Sequence, residues 1–309
     1  MYPELLHIGS FTLYSYALFV VIGLFAAAFT FRILADKTGI PDKAYNFYLL
    51  TGIGSIAVGF LFAMLFQSVY YLIETGEWTF GAMTFMGGLI GGVACFILVT
   101  ALLAKKAYKA YFWRVANLLA PSILVAHAFG RIGCFMNGCC YGRETDGPLG
   151  VLFPGHTTKV IPTQLIESAF LFVLFAVLLV LILRYKRGNL PMLVYLYAYS
   201  VFRFVLEFFR GDDRGEFLGG ITPSQWQSVF MLLAAVLLTI YIFRFGRVPF
   251  AGRVAVDTYG YELPAAAFAG TDTPAATEAD AAPDDGSDDS PSPADKEEPD
   301  ETDGSGGTA

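Results

Sequence analysis

Gln164-Leu-Ile-Glu-Ser-Ala-Phe-Leu-Phe-Val-Leu-Phe-Ala-Val-Leu-Leu-Val-Leu-Ile-Leu-Arg184 is a mainly apolar run closed by a basic residue, with Lys186 and Arg187 directly behind it. About 20 such residues in helical form cross a hydrocarbon core of about 30 Å, so the run reads as a membrane span. Six further stretches read the same way, at roughly 11–34, 46–73, 83–103, 113–136, 190–209 and 224–243, separated by short loops rich in turn residues. The expected fold class is therefore an all-α polytopic membrane protein with about seven transmembrane helices. Composition agrees. The 309 residues are 55% hydrophobic and 15% charged, against roughly 45–50% and 25% in soluble domains.

Charge divides the chain in two. Residues 254–309 hold one basic residue, Lys296, and 15 acidic ones, among Ala, Pro, Ser and Gly. Such a segment buries too little apolar surface to offset its ordering entropy, and it reads as a disordered, solvated tail. Residues 1–253 carry the remaining 19 basic and 12 acidic residues and form the membrane-embedded domain. Four cysteines in a chain this long make no disulfide scaffold. The N-terminus lacks a basic segment before its apolar run, which argues against a cleaved signal peptide. Basic residues form no exposed stripe, so nucleic acid is not an expected partner.

Thirteen basic residues fall on one side of the predicted membrane: Arg32, Lys37, Lys43, Lys105, Lys106, Lys109, Arg114, Arg184, Lys186, Arg187, Arg244, Arg247 and Arg253. The positive-inside rule assigns that side to the cytoplasm, leaving the N-terminus outside and the acidic tail inside. Apart from Lys296, the other six basic residues are Arg131, Arg143, Lys159, Arg203, Arg210 and Arg214, and all lie toward the outer face. Cations placed against the topological bias need a partner or a ligand.

Two segments concentrate them. In Val201-Phe-Arg-Phe-Val-Leu-Glu-Phe-Phe-Arg210, spacings of four and three put Arg203, Glu207 and Arg210 on one helix face, with Tyr199 a turn earlier. Charges within a span face a polar cavity or a partner, so this is either a reaction centre or an ion pair locking two helices. In His127-Ala-Phe-Gly-Arg-Ile-Gly-Cys-Phe-Met-Asn-Gly-Cys-Cys-Tyr-Gly142, His127 and Arg131 share a face near the outer surface. The glycines allow a helix end to unwind around a ligand, and the guanidinium suits a phosphate. The alternative is a tightly turned helix end with a snorkelling arginine.

Gly87-Gly88-Leu-Ile-Gly91-Gly92 reads as a close helix-packing face. Thr222-Pro223-Ser224-Gln225 reads as a helix N-cap with proline at the first position and glutamine at the third. Cys134, Cys139 and Cys140 leave three readings open: a disulfide on an oxidising face, small apolar packing, or a metal site with His127 or His156. Metal ranks last by spacing, because the second ligand pair is missing. Cys95, mid-span, reads as packing.

The run from Gly130 to Gly142 resembles the signature of bacterial phosphatidylglycerol–prolipoprotein diacylglyceryl transferases. Tyr16, Gly87-Gly88-Leu-Ile-Gly91, Leu152-Phe-Pro-Gly155, Pro162-Thr-Gln-Leu165 with Glu167, and Phe202–Arg210 follow in that family's order, over most of residues 10–245. The resemblance implies transfer of the sn-1,2-diacylglyceryl group of phosphatidylglycerol to the lipobox cysteine of a prolipoprotein signal peptide. Glycerol phosphate is released, at the outer face of the bacterial inner membrane. It further implies that Arg131 binds the phosphodiester, that Arg203 stabilises the departing phosphate, and that Tyr16, Asn137, Gly142, Glu207 and Arg210 line or brace the site. It requires no cofactor and no metal.

The sequence departs from the family pattern at Met86, where a histidine commonly stands, and at Cys134 and Cys139, which replace an asparagine and a glutamate. Methionine accepts no proton. His127 is then the candidate base, with Arg131 one turn away favouring its neutral form, or it braces the helix turn. Two other functions stand behind the transferase. One uses phosphatidylglycerol with another acceptor or a Cys-linked intermediate, for which alanine at the cysteines would abolish activity rather than reduce it. The other is a non-enzymatic polytopic protein, against which stands the lack of an internal repeat.

Overall fold

The structure, a computed structural model, describes residues 4–8, 11–81, 83–154, 157–185, 190–211, 221–244, 255–256 and 262–263. It opens on a hairpin of β1 (Glu4–Ile8) and β2 (Phe11–Tyr14), paired antiparallel with His7 opposite Thr12. The helices follow: α1 (Ser15–Lys37), α2 (Asp42–Thr75), α3 (Phe85–Leu103), a single turn α4 (Lys106–Lys109), α5 (Phe112–Asn137), α6 (Thr163–Leu183), α7 (Pro191–Glu207) and α8 (Pro223–Thr239). A π turn at Ile240–Arg244 prolongs α8. Two short strands, β3 (Ala255–Val256) and β4 (Glu262–Leu263), pair antiparallel. The rest of the predicted acidic tail, with Lys186, Arg187, Arg247 and Arg253, lies outside the described residues.

Among the described residues, six helices are long and apolar enough to cross a membrane: α1, α2, α3, α5, α6 and α8 with its π turn. The protein is an all-α polytopic membrane protein. Two boundaries differ from the sequence reading. The first span starts at Ser15 and not at residue 11, because Phe11-Thr-Leu-Tyr14 pairs with β1. A short apolar run does not distinguish strand from helix, and the pairing decides it. The stretch 190–209 forms α7, but its 17 residues span only about 25 Å at 1.5 Å per residue. It stops at Glu207 because the chain turns to pair beside residues 142–143: Arg143 N–H donates to Phe209 O at 2.9 Å, and Gly142 bridges Arg210.

The helices pack in two ways. α2 lies on α3 through the glycine face, where a Cβ at Gly87 would come within 2.8 Å of Phe62 O and one at Gly91 within 2.3 Å of Phe62 Cβ. The expected close packing is what those glycines do. α5 is the central helix, touching α1, α6 and α7, with α7 in turn on α8. One apolar cluster (Phe31, Leu34, Tyr48, Val115, Leu118, Ile182) fills one end, and another (Leu124, Ala128, Leu171, Leu174, Tyr199) fills the middle. Asn117 ties α5 to the start of α7 by accepting Met192 N–H at 2.9 Å.

Some of the asymmetrically placed cations have local work. Arg114 Nη1 donates to Thr38 O at 2.7 Å, at the C-terminal end of α1, and Lys109 Nζ reaches Ala101 O near the end of α3. Cations belong there, because the last carbonyls of a helix lack partners and carry its negative pole.

Candidate active site

The N-terminal halves of α6 and α8 and the C-terminal halves of α5 and α7 converge on one buried polar cluster. Its centre is Glu167 of α6, wholly buried. Tyr199 Oη donates to Glu167 Oε1 at 2.8 Å. Arg131 Nε lies 3.0 Å and Arg203 Nη1 3.8 Å from Oε2, and His127 Nε2 lies 3.6 Å from Oε1. His127 also meets the Tyr199 ring edge-on, at 5.4 Å between centroids. Thus His127 and Arg131, four apart on α5, and Tyr199 and Arg203, four apart on α7, present matched faces to one carboxylate.

A second carboxylate continues the cluster. Arg203 Nη2 lies 2.9 Å from Glu207 Oε2, one turn on, and donates to Ser224 Oγ at 2.8 Å. Arg210 Nε lies 3.8 Å from the same oxygen. Thr222 Oγ1 donates to Glu207 Oε1 at 3.1 Å while accepting Gln225 N–H at 3.3 Å, and Gln225 Oε1 accepts Thr222 N–H at 3.1 Å. The predicted N-cap is therefore a full capping box that also holds Glu207.

Arg131, Arg203 and Arg210 face the two carboxylates. A buried charge is tolerable only when paired, since the desolvation penalty reaches several kcal/mol per ion. The pairing here is nearly complete but not closed: Arg131 Nε and Arg203 Nη1 are buried without an aligned hydrogen bond. The arrangement can bind an anion and compensate charge developing on it.

The helix ends hold the loops that cover it. Gly142 N–H donates to Ile161 O at 2.8 Å, and a Cβ there would meet Phe209 O at 2.7 Å and Thr163 Cγ2 at 2.8 Å. Gly142 is thus the contact at which three chain segments close. Tyr16 lies on α1 against Gly133, within electrostatic reach of Arg131 and of the three cysteines. Asn137 is exposed at the last position of α5, and the nearby Cys139 thiol donates to Cys134 O at 3.6 Å.

Cys134, Cys139 and Cys140 form a separate group with Sγ atoms within 4.8 Å of one another, all as thiols. A Schellman turn makes this happen. Gly138 takes φ +74°, its N–H donates to Phe135 O, and Cys139 N–H donates back to Cys134 O at 3.1 Å. His127 is not part of the group. His156 and Arg214 lie outside the described residues. Met86, in the first turn of α3, sits where α3 packs on α2, and neighbouring Thr84 N–H donates to Ala63 O at 3.2 Å.

Residues 3–241 match the prolipoprotein diacylglyceryl transferase family. The chain belongs to that family. Among its relatives, the phosphatidylglycerol–prolipoprotein diacylglyceryl transferase 2 of Clostridium perfringens is 33% identical over 73% of this chain and 90% of its own. The enzyme of Methylobacillus flagellatus is 34% identical over 78% and 97%, and that of Francisella tularensis subsp. mediasiatica 32% over 78% and 93%. The match runs through α1 to α8 and ends before the acidic tail. Every helix contributing to the cluster is therefore part of the family's shared core.

Glu167 is the residue that the sequence reading undervalued. It entered only as part of a family motif, yet four side chains converge on it. The available signal was its position: it is the one acidic residue in the run 164–184, and an isolated carboxylate in a span implies a cationic partner.

Proposed function

We propose that this chain transfers the sn-1,2-diacylglyceryl group of phosphatidylglycerol to the lipobox cysteine thiol of prolipoproteins. It does so in the bacterial inner membrane, with its N-terminus outside and the reaction centre toward the outer face. The observation that carries the reading is the cluster around Glu167 and Glu207, in which Arg131 Nε and Arg203 Nη1 are buried without an aligned hydrogen bond. Guanidinium groups with unaligned N–H donors suit a phosphodiester, whose paired oxygens match their planar fork.

In this reading Arg131 holds the phosphate and Glu167 holds Arg131. The acceptor thiol gives up its proton to water as its sulfur attacks the glyceryl carbon, the bond from that carbon to the phosphoester oxygen breaks, and the leaving glycerol phosphate carries the electron pair. Arg203 compensates the charge that grows on it, while Glu207, Ser224 and the capped start of α8 fix Arg203. Tyr16, Asn137, Gly142 and Arg210 close the site from the sides. An apolar recess of ≈ 240 Å³, lined by Ile161, Ile166, Phe202, Val205, Leu206 and Phe209, flanks the network and suits an acyl chain.

His127 turns Nε2 to Glu167 and its ring to Tyr199, which supports the bracing role over that of base. We expect His127→Gln to retain activity within about ten-fold, less than the usual contribution of a general base. A loss beyond a thousand-fold would reinstate it as the base.

The test of the reaction is mass spectrometry of a synthetic lipobox peptide incubated with the purified protein in phosphatidylglycerol micelles. The expected product is a thioether adduct with a diacylglyceryl increment, absent with Arg131→Ala. A diacylglyceryl increment on the protein itself would instead support the Cys-linked alternative.

A further inference from the structure

We propose that Cys134, Cys139 and Cys140 are a three-thiolate site for zinc whose open fourth position receives the acceptor thiol. The metal half of this inference stands on the cluster alone, and the catalytic half rests on the transferase reading. Spacing placed metal last because it counted only sequence-local ligand pairs. The fold supplies what spacing could not show, since all three sulfurs already meet within 4.8 Å.

The geometry is close to what zinc requires. Sulfurs bound tetrahedrally at about 2.3 Å stand roughly 3.8 Å apart, so each thiol need move by less than about 1 Å. The backbone is held for this. Cys140 is the one non-glycine with positive φ among the described residues, at +67°, a conformation that a side chain adopts at a cost. Thr163 Oγ1 donates to Cys140 O at 2.9 Å and Gln164 Nε2 to Cys139 O at 2.6 Å, so the start of α6 fixes both carbonyls. Outer-shell bonds of this kind orient ligands in metal sites.

Three protein ligands with one open position is the pattern of catalytic rather than structural zinc. The position is also right. Arg131 stands one turn before Cys134 on α5 and within electrostatic reach of Cys140, so a thiol bound at the metal lies near a phosphodiester bound at Arg131. His127 sits seven residues before Cys134 on the same helix, about 10 Å away along the axis, too deep to take the proton of that thiol directly. Zinc would do the base's work in a chain with methionine at position 86. The incoming thiol binds, its proton leaves to water, and the zinc-bound sulfur attacks the glyceryl carbon. The carbon–sulfur bond forms as the carbon–oxygen bond to phosphate breaks, and zinc changes neither charge nor oxidation state.

The test uses the full chain, purified in detergent under reducing conditions and stripped with a chelator. Cobalt(II) is added as the spectroscopic probe, then zinc, with peptide transfer followed in parallel. The expected result is one cobalt per chain with a sulfur-to-metal charge-transfer band that zinc displaces and Cys139→Ser removes. Transfer falls at least ten-fold on stripping and returns with zinc. The absence of the band, or a disulfide among the three cysteines in the chain as isolated, would overturn the site. A band with undiminished transfer after stripping would overturn the catalytic role. Adduct missing from zinc-loaded and stripped protein alike, with the band present, would sink the transferase reading and the catalytic role while the metal site stands.

Discussion

The α2–α3 pair and the clustered ends of α5 to α8 solve the same problem by opposite means. Lipid offers little hydrophobic drive for helices to associate, so contact must come from close packing or from polar bonds. α2 and α3 use close packing. Glycines bring the backbones together, and much of their remaining surface, including Phe60, Leu61, Leu98 and Leu102, faces outward. The ends of α5 to α8 use ion pairs around Glu167 and Glu207. Steric contact of the first kind is indifferent to chemistry. A charged network in lipid is expensive to assemble, and once assembled it has fields that a substrate can use. On the proposed reading, the first region holds the molecule and the second carries the reaction.

Substitutions should break the two regions differently. The largest effect is expected at Arg131→Ala, a loss of about 10³-fold in transfer, as for removal of a positioned charge stabiliser. Lysine should not restore it, because an ammonium cannot bind an anion in fork geometry while facing Glu167. Glu167→Gln comes next. It leaves Arg131 and Arg203 buried with one counter-charge fewer, a destabilisation of about 3–5 kcal/mol, measurable as a lowered Tm with a parallel loss of transfer.

Gly91→Val should act on the other region alone. With Phe62 Cβ in the way, overpacking is expected to cost about 1–3 kcal/mol. Transfer per folded molecule should hold, so Tm falls while KM does not move. A fall in turnover equal to that of Glu167→Gln would show that the two regions are not separable. The smallest effect belongs to removal of residues 254–309, which should leave transfer intact in detergent.

Much of this division was readable in the sequence. Hydropathy located the spans, the glycine run gave the packing face, and spacing grouped His127 with Arg131 and Arg203 with Glu207. Thr222 and Gln225 declared the cap. What spacing cannot express is which helix faces which. Glu167 stood alone in its run, and only the fold brings α5 and α7 to it. Cys139 meets Cys134 because Gly138 reverses the helix end, a signal present in the sequence but read there as flexibility for a ligand. Gly142 was expected to line the site. The steric fact that Phe209 O and Thr163 leave no room for a Cβ belongs to segments far apart in the chain.

The central claim is that the lipid phosphate sits on Arg131. Solid-state NMR would test it directly, with the protein labelled with nitrogen-15 in its arginine side chains and placed in phosphatidylglycerol bilayers. Charge-assisted N–H···O bonds of about 2.8 Å imply a nitrogen-to-phosphorus distance of about 4 Å. The account predicts that coupling in the unmodified protein and its loss in Arg131→Ala. A coupling that survives Arg131→Ala, or none at all in protein that transfers the lipid, would contradict it.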